Sequence, residues 1–304
     1  EKPKQQKKKA LNRKPLYATG AKNMPYDNVV RLIHEAYEVK ILADQKDDAN
    51  NRPRQSFTDF LRDFLVRKYG LKSIATKHLG EIVGSIQKHS DQSVIRLFGV
   101  ISGMLDQQTW SPRTSDFVLN ILRKTCDIEG RPVTTISEWL NGDKEAGISE
   151  DAAIFAASEV STSRLSFMPI SDNELAEIKL LPKNDVGGLL VHDFLLWTFD
   201  FLMSGRRRVK EGFMQLFVAN DKNGDGVLEF GEFAALIKLI IPSDPTFELD
   251  ERKVSALYDE AATMDDDDDD DSISKEAFAE MACTHTLVCP PEYIPPARTN
   301  LGNL

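Results

Sequence analysis

Apolar side chains recur at intervals of three and four residues along most of residues 27–126, which is the spacing of one helix face. The clearest example is SFTDFLRDFLVRKYG, residues 56–70. Ser56 is placed to cap this helix, and Gly70 is placed to end it in a left-handed conformation. The predicted buried stripe is Phe57, Phe60, Leu61, Phe64 and Leu65. The region shows no strand-like alternation, so we predict an all-α segment.

Four further helices are predicted in this region, over about residues 27–45, 71–89, 90–105 and 115–124, with Pro112 ending the third of them. The histidines are scattered and show no metal-site spacing, and no nucleophile motif or phosphate-binding glycine loop occurs. We therefore predict no catalytic residues in this segment and interpret its apolar stripes as core.

A different pattern occupies DKNGDGVLEFGE, from Asp221 to Glu232, between two apolar runs. Acids or an amide stand at the first, third and fifth loop positions, which are Asp221, Asn223 and Asp225. Calcium prefers six to eight oxygen ligands, and alternate side chains of a tight loop point toward a common centre. Gly226 follows at the sixth position, where the chain must turn sharply.

The second half of the loop completes the predicted ligand set. Val227 is expected to contribute its backbone carbonyl, and Glu229 to bind directly or through water. Glu232 falls in the first turn of the following helix, from which both of its carboxylate oxygens can reach an ion. Leu228, at the eighth position, is expected to pack inward and form a short strand bridge with a paired loop.

These positions, with an amphipathic helix predicted on each side, resemble an EF-hand, the calcium-binding unit of the calmodulin superfamily. Such units usually occur in pairs, so we searched at intervals of about forty residues. The resemblance extends over about residues 130–285 and implies four helix–loop–helix units in two pairs, three of them degenerate.

The downstream loop, Asp266–Ala277, is a doubtful ion site. Alignment of Ile273 with the eighth position places acids at the first, third and fifth positions, but Asp271 replaces glycine and Ala277 replaces the final glutamate. A frame shifted by one residue makes Glu276 the last ligand but places Ser272 at the inward position. We prefer the first frame. A merely solvated acidic loop is equally compatible with the run of seven aspartates.

Two upstream segments match less of the pattern. In PKNDVGGLLVHDF, Gly187 and Leu189 occupy the sixth and eighth positions, but Pro182 and Val186 cannot ligate through side chains. In NGDKEAGISEDA, Ile148 is at the eighth position, and the first, third and fifth positions are Asn141, Asp143 and Glu145. We interpret these degenerate loops as packing partners.

Charge is unevenly distributed. The first fifteen residues carry seven lysines and arginines against one glutamate, whereas the whole chain has a net charge of −10. The acidic body argues against nucleic-acid binding. The basic tail can bind an acidic surface such as RNA, phospholipid or a tubulin tail, or can be a solvated end. The run GRRRVK, residues 205–210, can dock an acidic partner or form an exposed helix start.

The remaining features concern location and tails. No apolar run is long enough to span a membrane, and no signal peptide is visible, although a longer region can precede Glu1. Three cysteines without zinc spacing indicate reduced thiols in the cytoplasm. The C-terminal CPPEYIPPARTNLGNL is expected to be extended, lying along its own domain or a neighbour, or else disordered.

These observations predict a basic tail (1–26), a helical domain (27–127), an EF-hand domain (128–285) and a Pro-rich tail (286–304). The leading functional hypothesis is a non-enzymatic calcium-binding interaction protein. An EF-hand protein with extra helices and a basic tail resembles components of cytoskeletal and ciliary assemblies, so we expect the chain to be a subunit of such an assembly. The basic tail suggests association with microtubules. The alternatives are a calcium-regulated enzyme, with its catalytic part in the helical region or in a partner, and a calcium buffer.

Overall fold

The computed structural model describes residues 23–105, 112–132, 136, 139, 147–163, 166–241, 250–264, 272–285 and 287–295. These parts are mainly helical, as predicted. They contain eleven α-helices: α1 Tyr26–Ala49, α2 Phe57–Tyr69, α3 Lys72–Lys88, α4 Ser93–Ile101, α5 Pro112–Ile128, α6 Glu150–Ser161, α7 Asp172–Ile178, α8 Val191–Asn220, α9 Phe230–Ile240, α10 Glu251–Met264 and α11 Lys275–Thr284. Two short strands complete them, β1 Val227–Leu228 and β2 Ile273–Ser274, with a 3-10 turn at Pro291–Tyr293.

The chain forms two compact units. The first contains residues 1–156 and 177–196, and the second contains residues 157–176 and 197–304. Residues 128–156 and 177–196, the region of the first two loops, therefore belong to the same unit as the N-terminal helices. None of the described helices combines the length and the apolar character that a membrane crossing requires.

Helix α2 follows the local rules that its sequence suggests. The Ser56 hydroxyl accepts a hydrogen bond from the Asp59 backbone N–H at 3.2 Å. Gly70 ends the helix with a φ of +82°, which a residue with a Cβ adopts only with strain. All five predicted stripe residues are buried. Tyr37, Phe57 and Phe98 form an aromatic group in which the ring centroids lie 5.7–5.9 Å apart.

The structure corrects several predicted helix boundaries. Helix α4 ends at Ile101, so Pro112 does not end it. Helix α1 continues to Ala49, one turn past the predicted end, and the chain turns at Asn51 with a φ of +51°. Helix α5 begins at Pro112 rather than at Ser115. Proline suits the first helical position because its missing N–H has no helical partner there.

The helical region contains a buried ionic group that its apolar pattern did not reveal. Lys40 and Asp44 are 0% and 1% exposed, and the lysine Nζ donates to Asp44 Oδ1 at 2.5 Å and to the Gln55 carbonyl at 2.8 Å. Arg123 of α5 donates to the second oxygen of Asp44. Burial lowers the pKa of Arg123, and the Asp44 charge opposes that effect. One carboxylate thus joins two cations from separate helices.

The second unit is built around two short strands and one phenylalanine. Strands β1 and β2 pair antiparallel, with Leu228 opposite Ile273, and both side chains are fully buried. Phe278 of α11 lies at the centre, with its ring centroid 6.0 Å from that of Phe213 and 6.2 Å from that of Phe233, both edge to face. The bridge predicted for the eighth loop position is therefore present.

The Asp44→Ala variant tests the buried ionic group. We expect a loss of about 3–5 kcal/mol in the free energy of unfolding, because the buried Lys40 and the partly buried Arg123 lose their shared counter-charge. Glu38→Ala removes an exposed carboxylate from the same helix and should change the free energy by less than about 0.5 kcal/mol. Urea denaturation of both variants gives the comparison, and equal losses would contradict a special role for Asp44.

Candidate metal centre

The loop Asp221–Glu232 connects α8 to α9 in the second unit. Buried aromatic residues hold both of its ends, since Phe217 precedes the loop and Phe233 follows it, and each is at most 1% exposed. The Asp221 backbone N–H continues the last turn of α8 with a hydrogen bond to the Phe217 carbonyl at 2.9 Å. The loop is therefore fixed between two packed helices.

The Asp221 carboxylate organises the first half of the loop. Its Oδ1 accepts a hydrogen bond from the Gly224 N–H at 2.8 Å, and its Oδ2 accepts one from the Gly226 N–H at 2.9 Å. Both glycines have left-handed backbone conformations, with φ of +73° and +84°. These conformations curl the chain around the carboxylate at the first loop position.

The third and fifth positions face each other inside this curl. The Asn223 side chain accepts a hydrogen bond from the Asp225 N–H at 3.1 Å and donates one to Asp225 Oδ2 at 2.7 Å. The other oxygen of Asp225 accepts a bond from the Val227 N–H at 3.0 Å. The oxygens of the first, third and fifth side chains are thus arranged along one short turn.

Glu232 closes the loop and carries an unsatisfied atom. Its Oε1 accepts a hydrogen bond from the Lys222 N–H at 3.3 Å, so the carboxylate reaches back to the loop start. Its Oε2 is buried and has no hydrogen-bond partner. A buried, unpaired carboxylate oxygen is costly and calls for an explanation. A divalent cation held by the loop oxygens would satisfy it, so the residues present fit calcium.

The six predicted ligands are not all brought together. The side chains of Asp221, Asn223, Asp225 and Glu232 engage the turn, and Val227 begins β1. Glu229 is exposed at the start of α9, where its carbonyl accepts the Phe233 N–H at 2.9 Å. No group of three or more His, Cys, Asp or Glu side chains converges as a metal cluster among the described residues. Backbone N–H groups instead bond to both oxygens of Asp221 and to one oxygen each of Asp225 and Glu232.

The pairing register decides how the downstream loop is aligned. Ile273 lies opposite Leu228, so Ile273 holds the eighth position, as in the preferred frame, and the shifted frame is wrong. The last loop position is then Ala277, which is 4% exposed in the first turn of α11, and Glu276 is exposed beside it. Residues 265–271, with their aspartates, lie outside the described residues.

The loops of the first unit show a second bridge. Ile148 and Leu189 exchange two backbone hydrogen bonds, of 3.1 and 2.8 Å, and both side chains are fully buried. The sequence placed these two residues at the eighth positions of their loops. Asn141, Asp143 and Glu145 lie outside the described residues.

In the loop that begins at Pro182, the side-chain amide of Asn184 accepts the backbone N–H groups of the turn. Asn184 Oδ1 accepts hydrogen bonds from the Gly188 N–H at 2.8 Å and the Val186 N–H at 3.2 Å. The final residue, Asp193, is used elsewhere: burial raises the pKa of its carboxyl group, and a hydrogen bond with Ser93 of α4 opposes that effect. The turn of this loop is therefore organised by a neutral amide, whose Nδ2 is buried without a hydrogen-bond partner.

The basic run 205–210 has a structural role that the sequence did not indicate. Arg206 and Lys210 both form ion pairs with Glu280 of α11, and Arg208 donates to the Pro295 carbonyl at 3.0 Å. Only the four-residue spacing of Arg206 and Lys210 hinted that they share a helix face. The run lies within α8, not at a helix start, and joins it to α11 and to Pro295.

Comparison with known proteins finds no match to this chain among protein-family models, curated proteins or solved structures. The assignment of the loop consequently depends on its own geometry.

The Gly226→Ala variant tests the turn of the loop. A Cβ at this position meets nothing within 4 Å, so its cost is conformational, and we expect a loss of about 1–2 kcal/mol in the free energy of unfolding from the left-handed backbone. Gly231→Ala is the matched control, because it lies in open space in α9 at an ordinary φ and should be neutral or slightly stabilising. Denaturant titration would contradict the described turn if the two variants behaved alike.

Proposed function

We propose that the Asp221–Glu232 loop is an EF-hand calcium site and that the chain is a non-enzymatic calcium-binding interaction protein. The observation that carries this proposal is the buried, unpaired Oε2 of Glu232, whose other oxygen, Oε1, reaches back to the Lys222 N–H in a turn that carries side-chain oxygens. Carboxylate, amide and carbonyl oxygens are the ligands that calcium prefers. Side chains of Asp221, Asn223 and Asp225 would hold the ion from one side and Glu232 from the other.

Each part of the chain has a definite task in such a site. Gly224 and Gly226 allow the turn that directs the acids inward. Val227 offers its carbonyl from β1, and Glu229 lies close enough along the chain to bind directly or through a water molecule. Bound calcium would supply the positive charge that neutralises the three neighbouring carboxylates of the loop.

The remaining loops are proposed to act as scaffolds. The second loop of the pair keeps the strand bridge but ends in Ala277, which cannot ligate through its side chain. The loop at Pro182–Asp193 keeps its bridge and fills its turn with Asn184. We therefore expect one tight site per chain, which makes a calcium buffer an unsuitable role.

The proposed mechanism is an ion-dependent change in the angle between α8 and α9. Asp221 directly follows α8, whereas Glu232 lies within the first turn of α9, so drawing their carboxylates together changes how the two helices meet. Phe233 of α9 and Phe213 of α8 both contact Phe278, so such a change must repack that aromatic group. Seven methionines in 304 residues indicate one fixed partner rather than an adaptable methionine-rich groove.

We further propose that the partner belongs to a larger cytoskeletal or ciliary assembly in the cytoplasm. The basic tail at residues 1–26 would provide attachment to an acidic surface such as a microtubule, by charge complementarity. Most of that tail lies outside the described residues. The proposal is supported by the charge contrast between this tail and the acidic body.

Isothermal titration of the full chain with calcium tests the proposal. We expect one tight binding event in the wild type, and binding at least about tenfold weaker in Glu232→Gln, because a neutral amide cannot provide a bidentate carboxylate. Glu276→Gln is the matched control, because Glu276 is the glutamate in the first turn of α11, after the paired loop. The calcium affinity of this variant should equal that of the wild type.

Two results of this titration would contradict the proposal. Unchanged binding in Glu232→Gln would remove the loop from the site. Two or more equal binding events in the wild type would show that the degenerate loops also bind ions tightly.

A further inference from the structure

The C-terminal segment 287–295, here called the strap, is part of the core of the second unit. Cys289 is 5% exposed and belongs to the same apolar cluster as Phe213 and Phe278. Leu287, Tyr293 and Ile294 are half-buried against that cluster. The extended tail expected from the proline-rich sequence therefore lies along its own unit over these residues.

Two residues of α8, four positions apart, hold the strap. The Arg208 guanidinium donates to the Pro295 carbonyl at 3.0 Å. At Gly212 the strap touches the helix backbone: an added Cβ would lie 2.9 Å from Cys289 Sγ and 3.1 Å from the Tyr293 carbonyl oxygen. Any side chain at position 212 therefore has to displace the strap or the helix.

The strap has few polar attachments to the rest of the unit. Its prolines have no N–H to donate, and the N–H groups of Tyr293 and Ile294 bond to carbonyls within the strap itself. Val288 is 46% exposed. The Leu287 N–H donates to the Ala282 carbonyl of α11 at 3.0 Å. A segment with so few hydrogen bonds to its surroundings opens at a lower free energy than the helices of the core.

The anchors of the strap lie on the helix that enters the candidate metal centre. Helix α8 carries Arg208 and Gly212 and ends at Asn220, next to Asp221. From the same helix Phe213 contacts Phe278, which contacts Phe233 beyond the loop. Helix α8 therefore contacts both the strap and the aromatic group that joins the two sides of the loop.

We propose that the strap is a releasable cover on α8 and that calcium binding in the Asp221–Glu232 loop promotes its release, exposing the apolar surface beneath it. The occupant of this surface in the closed state is the chain's own segment 287–295. The trigger in this inference rests on the proposed calcium site, whereas the cover itself rests on the contacts of Arg208 and Gly212.

The thiol of Cys289 reports release of the strap. Burial raises its pKa to about 12, so it is unreactive while the strap is in place. Cys126 in the first unit is an internal reference, because it is fully buried and burial likewise raises its pKa to about 12. Opening of the strap exposes Cys289. Unfolding of the second unit also exposes Cys283, which is 4% exposed in α11, and unfolding of the whole chain exposes Cys126 as well.

The test is alkylation of the full chain with iodoacetamide, with the rate at each cysteine measured by peptide mass spectrometry. In chelator, Gly212→Ala should label Cys289 about tenfold faster than Gly231→Ala, because the added Cβ overpacks the contact with the strap. Labelling of Cys126 should be equal in the two variants. In the wild type, saturating calcium should accelerate labelling of Cys289 about tenfold and leave Cys126 unchanged.

The possible failures are distinguishable. Equal labelling of Cys289 in Gly212→Ala and Gly231→Ala would overturn the releasable cover. Calcium that binds by calorimetry but leaves the labelling of Cys289 unchanged would overturn the coupling, whereas absence of binding would refute the proposed function and the trigger together. If Gly212→Ala also exposes Cys126, the Arg208→Gln variant is used in its place. Faster alkylation of Cys289 without faster alkylation of Cys126 then supports the releasable cover, and an unchanged alkylation rate at Cys289 overturns it.

Discussion

The antiparallel bridge between Leu228 and Ile273 is the constraint on which the second unit depends. It joins two loops far apart in the chain and sets the register in which their flanking helices meet. Both side chains are fully buried, so a slip by one residue would turn apolar groups toward water. Phe278 then becomes the meeting point of the helices before and after the loop, through its edge-to-face contacts with Phe213 and Phe233.

The two loop pairs of this chain show alternative ways of completing a tight turn. At Asn184, a side-chain amide accepts the inward backbone N–H groups. At Asp221, a carboxylate accepts them, and a second carboxylate from Glu232 closes the turn with one oxygen unpaired. The first arrangement is electrically neutral at its centre. The second concentrates negative charge in a small volume, which favours a bound cation.

Local features were predictable from sequence because their causes are local. The cap at Ser56 and the left-handed glycine at position 70 follow from neighbouring residues. The bridging residues were predicted from the alignment of the loops with one another, because the eighth position recurs in each loop. The buried contact between Asp44 and Arg123 joins residues from two distant helices, and helical spacing does not reveal such an encounter. The strap was equally hidden, because only the packed structure shows that Gly212 lies against Cys289.

Diffraction from crystals of the full chain grown in calcium tests the central claim most directly. Our account requires one anomalous density peak in the Asp221–Glu232 loop, with both oxygens of Glu232 and an oxygen of Asp221 about 2.3–2.6 Å from the ion. A map with no peak in that loop, or with its strong peak at the aspartate run 265–271 instead, would contradict the account.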